Sequence, residues 1–187
     1  KQAELQQLKK QINPHFLFNM LNNANILVKD APDEASQILE KLDNLLRYQL
    51  NDSTRREVFL TADIQFLTSF LELEKVRRDH FEYTIFQEGN MENICIPPLL
   101  FIPFVENAVK HNLDSDNLSY VHLYFSVHNK QLTFRCENSK PRVPVKREGG
   151  IGLANVKRRL DLLYESRYTL QIEDKETTYN VNLHLNL

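Results

Sequence analysis

The stretch VHLYFSVHNKQLTFRC, residues 121–136, decides the fold class of this 187-residue chain. Apolar and polar residues alternate on both sides of the polar triplet His128-Asn129-Lys130. The apolar positions are Val121, Leu123 and Phe125 before the triplet and Leu132, Phe134 and Cys136 after it. Two alternating runs joined by a short polar turn are typical of a β-hairpin with one buried face. The sequence therefore predicts a β-sheet in the second half of the chain.

Helices and further strands are predicted on both sides of this hairpin. Apolar residues at helical spacing predict one helix over Leu99 to His111 and another over Leu153 to Tyr164. Other short runs predict four more strands, at Phe81 to Ile85, Ile94 to Ile96, Tyr168 to Ile172 and Thr178 to Leu187. Together these elements predict an α/β layer with helices on one face of a mixed sheet.

The first fifty residues carry the period of an amphipathic helical hairpin, with a turn at Asp30-Ala31-Pro32-Asp33. Its two apolar stripes comprise Leu5, Leu8, Ile12, Phe16, Met20 and Leu27 on the first helix and Ile38, Leu42, Leu45 and Leu46 on the second. Because two helices with one stripe each cannot enclose a core, we expect the hairpin to pair with a second copy as a four-helix bundle. A polar linker, Asn51 to Glu57, then leads to a third helix, for which Thr61 is the expected N-cap.

Composition excludes several classes of protein. The chain has 23 Lys and Arg against 25 Asp and Glu, a net charge of -2, with no basic arm, so we expect no direct binding to nucleic acid. Its two cysteines, Cys95 and Cys136, fall in predicted buried strands, which argues against disulfides and favours a reducing, cytoplasmic setting. The apolar stretch from Ile94 to Val105 is too short to span a membrane. Since the chain starts at Lys1 inside a charged helical pattern, we expect a sensor or membrane segment upstream.

The predicted helix from Leu99 to His111 has two unlike faces. Its apolar face holds Phe101, Phe104, Val105, Ala108 and Val109, and its polar face holds Glu106, Asn107, Lys110 and His111. Asn is unfavourable inside a helix, which favours a functional reason for it here. An amide oxygen, a carboxylate and a cation on one patch could hold a hydrated Mg²⁺, activate a proton donor and neutralise phosphate. The alternative is an ordinary half-buried helix with a solvated face.

A glycine-rich segment opens the next predicted helix. Gly149-Gly150-Ile151-Gly152-Leu153-Ala154-Asn155 contains three of the four glycines of the chain. Glycines allow close approach of the backbone to an anion, and the N-terminus of a helix favours phosphate. The segment is neither a Walker A sequence nor a dinucleotide fingerprint, and a plain loop is the alternative.

A histidine in the first helix is the third candidate. It lies in Gln11-Ile12-Asn13-Pro14-His15-Phe16-Leu17-Phe18-Asn19, at the edge of the apolar stripe. Pro14 should kink a long bundle helix, which is costly unless the site has a purpose. The alternative is that His15 is an ordinary surface or packing residue.

These three segments, with Phe70-Leu71-Glu72-Leu73-Glu74-Lys75-Val76-Arg77 between them, resemble the LytS-like family of bacterial sensor histidine kinases. The resemblance covers nearly the whole chain. It implies an α+β fold in which residues 1–55 form a dimerisation and phosphoacceptor hairpin, hence a dimeric four-helix bundle. Residues 56–187 would then form a Bergerat-type α/β sandwich, the ATP-binding catalytic domain.

The resemblance also implies a role for each candidate residue. His15 would be the phosphoacceptor, Glu106 the polarising base and Asn107 the Mg²⁺ ligand. The residues implied to bind ATP are Asn107, Lys110, His111, Glu137, Asn138, Gly149, Gly150, Gly152, Leu153 and Asn155. The adenine-binding turn of the family usually has the pattern Asp-x-Gly, but here it is Glu137-Asn138-Ser139. We expect the Glu137 carboxylate to accept a hydrogen bond from the adenine amino group.

The function implied is ATP-dependent autophosphorylation on His15, followed by phosphoryl donation to an aspartate of a response regulator. Expected partners are a second copy of the chain and a response regulator, for which the LytTR DNA-binding type is one candidate. The chain would be the cytoplasmic domain of a protein anchored in the bacterial inner membrane. One alternative is a non-catalytic dimeric relay with a degenerate nucleotide site. Another is an ATPase or kinase of the same superfamily with a different acceptor.

Overall fold

A computed structural model describes residues 1–8, 14–143 and 151–187 of the chain. The described residues divide into two compact units. The helical unit comprises the described residues from Pro14 to Asp79, together with Glu92–Leu100. The sheet unit comprises residues 1–8, His80–Met91 and the described chain from Phe101 onward. Within the described ranges, every helix is too short or too polar for a bilayer crossing.

The helical unit confirms the predicted hairpin and third helix. Its elements are α2 (Pro14–Leu27), α3 (Pro32–Leu50), a 3-10 helix (Asp52–Thr54), α4 (Leu60–Arg77), and the antiparallel pair β1 (Val58–Phe59) and β3 (Cys95–Ile96). Proline at the start of α3 suits a helix N-terminus, where its fixed φ fits and its missing N–H costs nothing.

Helix α4 covers the apolar stripes of the hairpin. Phe16 of α2 packs on Phe70 of α4 with ring centroids 5.1 Å apart, and Tyr48 of α3 stacks on Phe66 at 4.4 Å. The buried side chains of the hairpin are Phe16, Met20, Ala24, Ala35, Ile38, Leu42, Leu45 and Tyr48. The buried members of the predicted stripes therefore find a partner within the same chain. Leu5 was expected on the same stripe but lies on the helix Gln2–Leu8 of the sheet unit, and Leu27 is only half-buried.

Two details of the helical unit differ from the predictions. Leu46 is exposed, and the buried stripe of α3 continues to Tyr48 instead, because Tyr48 follows Leu45 by three residues. Thr61 is not an N-cap: α4 begins one residue earlier, at Leu60. The N–H of Leu60 donates to the carbonyl of Ile94 at 2.8 Å, so a neighbouring backbone segment satisfies the helix start.

The sheet unit confirms the mixed sheet. Five strands lie in the order β2-β4-β5-β7-β6; β2 and β4 are parallel and the other pairs antiparallel. The elements are α1 (Gln2–Leu8), β2 (Phe81–Glu88), α5 (Ile102–His111), β4 (Ser119–His128), β5 (Gln131–Ser139), α6 (Ile151–Tyr164), β6 (Tyr168–Asp174) and β7 (Thr178–Asn186). The class is α+β, as predicted.

Two turns of the sheet unit require backbone conformations with a positive φ. Asn129 and Lys130, which join β4 to β5, have φ angles of 49° and 61°, as a tight hairpin turn requires. Gly89 follows β2 with a φ of 90°, and a Cβ there would lie 2.2 Å from the carbonyl oxygen of Val127. Glycine is therefore the residue that fits this position.

One face of the sheet, here called the inner face, packs on α5. Phe134 lies 4.6 Å from Phe101 and 5.9 Å from Phe104, measured between ring centroids. The buried side chains of the inner face are Val121, Leu123, Phe125, Leu132, Phe134, Cys136, Val181, Leu183 and Leu185. The opposite, outer face carries polar side chains such as His122, Glu137 and Asn182.

Three further predictions need correction or qualification. Cys95 is exposed although its strand was expected to be buried, because β3 is a two-residue strand paired only with β1. Helix α5 begins at Ile102 instead of Leu99, which lies in the left-handed region with a φ of 58°. The predicted domain boundary after residue 55 falls inside the helical unit, because α4 packs on α2 and α3. As a division between functional domains, that boundary stays a prediction.

Candidate nucleotide site and phosphoacceptor

Helix α5 has the two faces that the sequence predicts. Its apolar side chains Phe104, Val105, Ala108 and Val109 are buried, and α5 packs on β4, β5 and α6. On the polar face, Asn107 and Lys110 are exposed, and Glu106 and His111 are half-buried. Because the apolar face fixes the rotation of the helix, these four polar side chains have a fixed direction relative to the sheet.

Strand β5 places the two candidate adenine-binding residues on opposite faces of the sheet. Asn138 continues the inward alternation of Phe134 and Cys136, and its side chain is 2% exposed. Its amide Nδ2 donates to the carbonyl of Ser139 at 2.8 Å. Glu137 lies on the outer face, where the hydroxyl of Tyr120 donates to it at 3.2 Å. Of the two residues, Asn138 therefore shares the face on which α5 packs.

The start of α6 contributes Gly152, Leu153 and Asn155. Gly152 and Asn155 are exposed and Leu153 is half-buried. A Cβ built at Gly152 would meet no heavy atom within 4 Å, so packing within the chain does not require glycine here. Gly149 and Gly150, predicted to shape the same loop, lie outside the described residues, as does Ile12 of the first predicted stripe.

His15 belongs to the helical unit and is exposed on α2. The Asn19 amide nitrogen lies 3.2 Å from the Nδ1 atom of His15, one helical turn away. Because an amide nitrogen donates, Nδ1 accepts in this orientation, and neutral His15 carries its proton on Nε2. A 180° rotation of the amide would exchange these roles and place the proton of neutral His15 on Nδ1. The residues just before Pro14 lie outside the described ranges, so the kink at Pro14 stays a prediction.

The donor set on α5 fits Mg²⁺. In the described part of the chain, no group of three or more His, Cys, Asp or Glu side chains could enclose a metal ion. Mg²⁺ does not need such a cage, because it usually keeps several waters and binds through one or two protein oxygens plus substrate phosphates. The exposed amide of Asn107, next to the carboxylate of Glu106, offers oxygen ligands of that kind.

Sequence reasoning gave no role to Asn19 and placed the adenine contact on Glu137. The spacing of four residues between His15 and Asn19 was a usable signal, because such residues are neighbours on a helix. The alternation of Phe134, Cys136 and Asn138 was another, since it already assigns Asn138 to the buried face.

Comparisons with known proteins address the family directly. A model of the family described as Histidine kinase matches residues 3–81. The sensor protein LytS of Staphylococcus haemolyticus is 30% identical over 200 residues, a match that covers 99% of this chain and 34% of that protein. The chain belongs to the LytS-like sensor histidine kinases. It spans about a third of the length of this LytS relative.

Solved structures agree on the fold of this LytS-like chain. The histidine kinase domain of a blue-light activated histidine kinase from Erythrobacter litoralis matches with a TM-score of 0.55 at 17% identity, covering 99% of this chain and 91% of that one. The histidine kinase ThkA, solved in complex with the response regulator protein TrrA, matches with a TM-score of 0.51 at 16% identity, covering 84% of this chain and 51% of that one.

Proposed function

We propose that this chain is the kinase core of a two-component sensor, which phosphorylates itself on His15 from ATP and passes the phosphoryl group to an aspartate of a response regulator. The observation that carries the proposal is the polar face of α5. Helix α5 is anchored by a fully apolar face, yet it keeps an amide, a carboxylate, an ammonium and an imidazole on its other side. A purely structural helix has no need of that set.

ATP would lie along the polar face of α5 and the start of α6. Asn107 would hold Mg²⁺, which when bound neutralises phosphate charge, and Lys110 and His111 would lie by the phosphates. The exposed backbone at Gly152 would leave room for the triphosphate. Gly149, Gly150, Leu153 and Asn155 complete the proposed loop. For adenine, the inner-face placement of Asn138 makes its amide the better acceptor than the Glu137 carboxylate.

The chemistry at His15 is one phosphoryl transfer. A neutral imidazole nitrogen attacks the γ-phosphorus of ATP, so an N–P bond forms while the P–O bond to ADP breaks. The proton on the other ring nitrogen stays or is passed to a base, for which Glu106 is the candidate. The resulting phosphoramidate can donate its phosphoryl group to a carboxylate of the response regulator. The solved complex of ThkA with TrrA supports a partner of this class.

A second copy of the chain is the other proposed partner. The stripes first expected to pair between copies are covered by α4, but the hairpin carries a second, exposed apolar set. Its members are Phe18, Leu21 and Ile26 on α2 and Leu39, Leu46 and Leu50 on α3. Exposed apolar side chains on both helices of one hairpin are expected of an interaction site, and a symmetric four-helix bundle would bury them. The chain would serve as the cytoplasmic part of a longer sensor anchored in the inner membrane.

Incubation with labelled ATP and Mg²⁺ tests the proposal. We expect label on the protein in an acid-labile, base-stable form, as a phosphoramidate requires. His15→Gln should bind ATP and carry no label, whereas the matched control His128→Gln, at the exposed end of β4, should be labelled normally. Label that persists on His15→Gln would assign the acceptor elsewhere. A protein that binds no Mg-ATP and takes no label would be a non-catalytic relay.

A further inference from the structure

A buried polar cluster joins three segments of the helical unit. Asp63 of α4 is 1% exposed, and the hydroxyl of Tyr48 on α3 donates a short hydrogen bond to its Oδ1 atom. The backbone N–H of Leu99 donates to the same hydroxyl oxygen. The hydroxyl of Tyr48 on α3 thus bonds both to α4 and to the segment that follows β3.

Leu99 occupies an unusual backbone conformation at this contact. Its φ of 58° lies in the left-handed region, and its side chain is 2% exposed. A bulky L-residue rarely adopts that conformation, which persists only where surrounding contacts hold it. Pro97 and Pro98 restrict the chain just before Leu99, and α5 begins three residues after it, at Ile102. The conformation of Leu99 therefore sets how the chain enters α5.

We propose that Tyr48 is a positioning residue that holds Leu99 in its left-handed conformation and thereby fixes the entry to the helix carrying Glu106 and Asn107. This inference rests on the proposed function of that helix. It makes one hydroxyl group the link between α3, the helix that follows the phosphoacceptor helix, and the segment that leads into the nucleotide site.

Stability alone does not explain the cluster. Burying a carboxylate as deeply as Asp63 carries a desolvation cost, and well-packed apolar residues usually stabilise a core at least as well. Burial raises the pKa of Tyr48, and the nearby charge of Asp63 raises it further. The hydroxyl therefore keeps the proton that it donates. A donor fixed in this way leaves its oxygen free to accept from the Leu99 N–H. The cluster thus has the composition expected of a specific backbone clamp.

Hydrogen exchange of the Tyr48→Phe chain tests the clamp without nucleotide. Loss of one hydrogen bond to a buried N–H corresponds to about a tenfold or greater change in an opening equilibrium. We therefore expect exchange in peptides spanning residues 97–105 to accelerate about tenfold, and Mg-ATP affinity to weaken by a similar factor. The control Tyr168→Phe also removes a hydroxyl-to-carboxylate bond, to Asp161 at 2.5 Å, and should change neither measurement.

A double variant separates positioning from stability. Tyr48→Phe with Asp63→Leu replaces both polar partners by apolar groups, which should restore most of the melting temperature. If exchange at residues 97–105 stays fast and Mg-ATP stays weak in this stable double variant, the clamp is confirmed. Recovery of slow exchange and tight binding would overturn it, as would unchanged exchange in Tyr48→Phe. If Tyr48→Phe does not fold, the double variant decides alone.

The exchange and Mg-ATP binding measurements distinguish the clamp from the proposed function of α5. Failure of the unmodified chain to bind Mg-ATP would refute the proposed function of α5, whatever the exchange data show. Slow exchange at residues 97–105 in the double variant would refute the clamp, even with a fully active kinase. Asp63→Asn, which keeps an acceptor for the Tyr48 hydroxyl, should retain slow exchange and so show that the hydrogen bond matters more than the charge.

Discussion

Replacing Asn138 by alanine should weaken ATP binding, whereas replacing its neighbour Glu137 should not. The two side chains project from opposite faces of β5, and only Asn138 lies on the face that packs on α5. If the Asn138 amide oxygen accepts from the adenine amino group, its removal leaves that donor without a partner in a confined site. Glu137→Ala, by contrast, removes a half-buried contact to Tyr120 on the outer face.

The structure allows the magnitudes to be worked out. An unpaired donor in a confined site costs about 1–3 kcal/mol, which corresponds to about 5- to 150-fold weaker binding. Discrimination against GTP should fall as well, because a buried acceptor is what rejects the wrong base edge. Asn138→Ala also loses the Nδ2 bond to Ser139, so the free energy of unfolding should drop by about 1 kcal/mol. For Glu137→Ala, ATP affinity should change by no more than about twofold and the free energy of unfolding by no more than about 0.5 kcal/mol.

Calorimetric titration with Mg-ATP and Mg-GTP measures affinity and base preference together, and urea denaturation checks that the variants are folded. Asn138→Asp supplies the conservative control, because it keeps an acceptor oxygen and loses only the donor to Ser139. It should therefore keep its preference for ATP. Asn138 does not bind adenine if Glu137→Ala loses affinity and base preference while Asn138→Ala, folded, retains both.

Three more predictions follow from the same elements. Asn107→Ala should keep α5 helical, because alanine favours helix, but slow autophosphorylation about 100-fold by removing a metal contact, as a single-turnover assay would show. Phe18→Asp should convert a dimer into a folded monomer in sedimentation experiments, since that side chain is 65% exposed and supports no core within the chain. Cys95 should react with a thiol reagent at pH 8 in the folded protein while Cys136 stays protected. Burial raises the pKa of Cys136 to about 12 and excludes the reagent, and mass spectrometry of labelled peptides distinguishes the two cysteines.

Local patterns were enough to predict most elements of this fold. The hairpin of β4 and β5 follows from strict alternation and from a turn at Asn129 and Lys130, both of which depend only on neighbouring residues. The two faces of α5 follow in the same way from a period of 3.6 residues. The N-cap at Thr61 was wrong because the group that satisfies the start of α4 is the Ile94 carbonyl, which lies 34 residues away in the sequence.

The candidate site also contains one part that local patterns predict and one part that they do not. The polar face of α5 could be predicted because its residues lie on consecutive turns of one helix. The clamp of Tyr48, Asp63 and Leu99 could not, because its members lie on three elements and share no spacing. Tyr48 has the sequence signature of an apolar stripe position, and only the folded chain shows that its hydroxyl bonds to a carboxylate and a backbone N–H.

The position of α4 changes which substitutions can test dimerisation. The sequence predicts that the two stripes containing Met20 and Leu42 pair between copies, so that their disruption should dissociate a dimer. Because α4 covers these stripes, shortening Met20 to alanine would instead open a cavity in one chain and cost about 2–5 kcal/mol of stability at any protein concentration. The proposed association would then depend on exposed side chains such as Phe18 and Leu50. Met20→Ala should therefore lower the free energy of unfolding without dissociating a dimer. Phe18→Asp should dissociate the dimer without loss of core packing, because it changes the other apolar surface of the same hairpin.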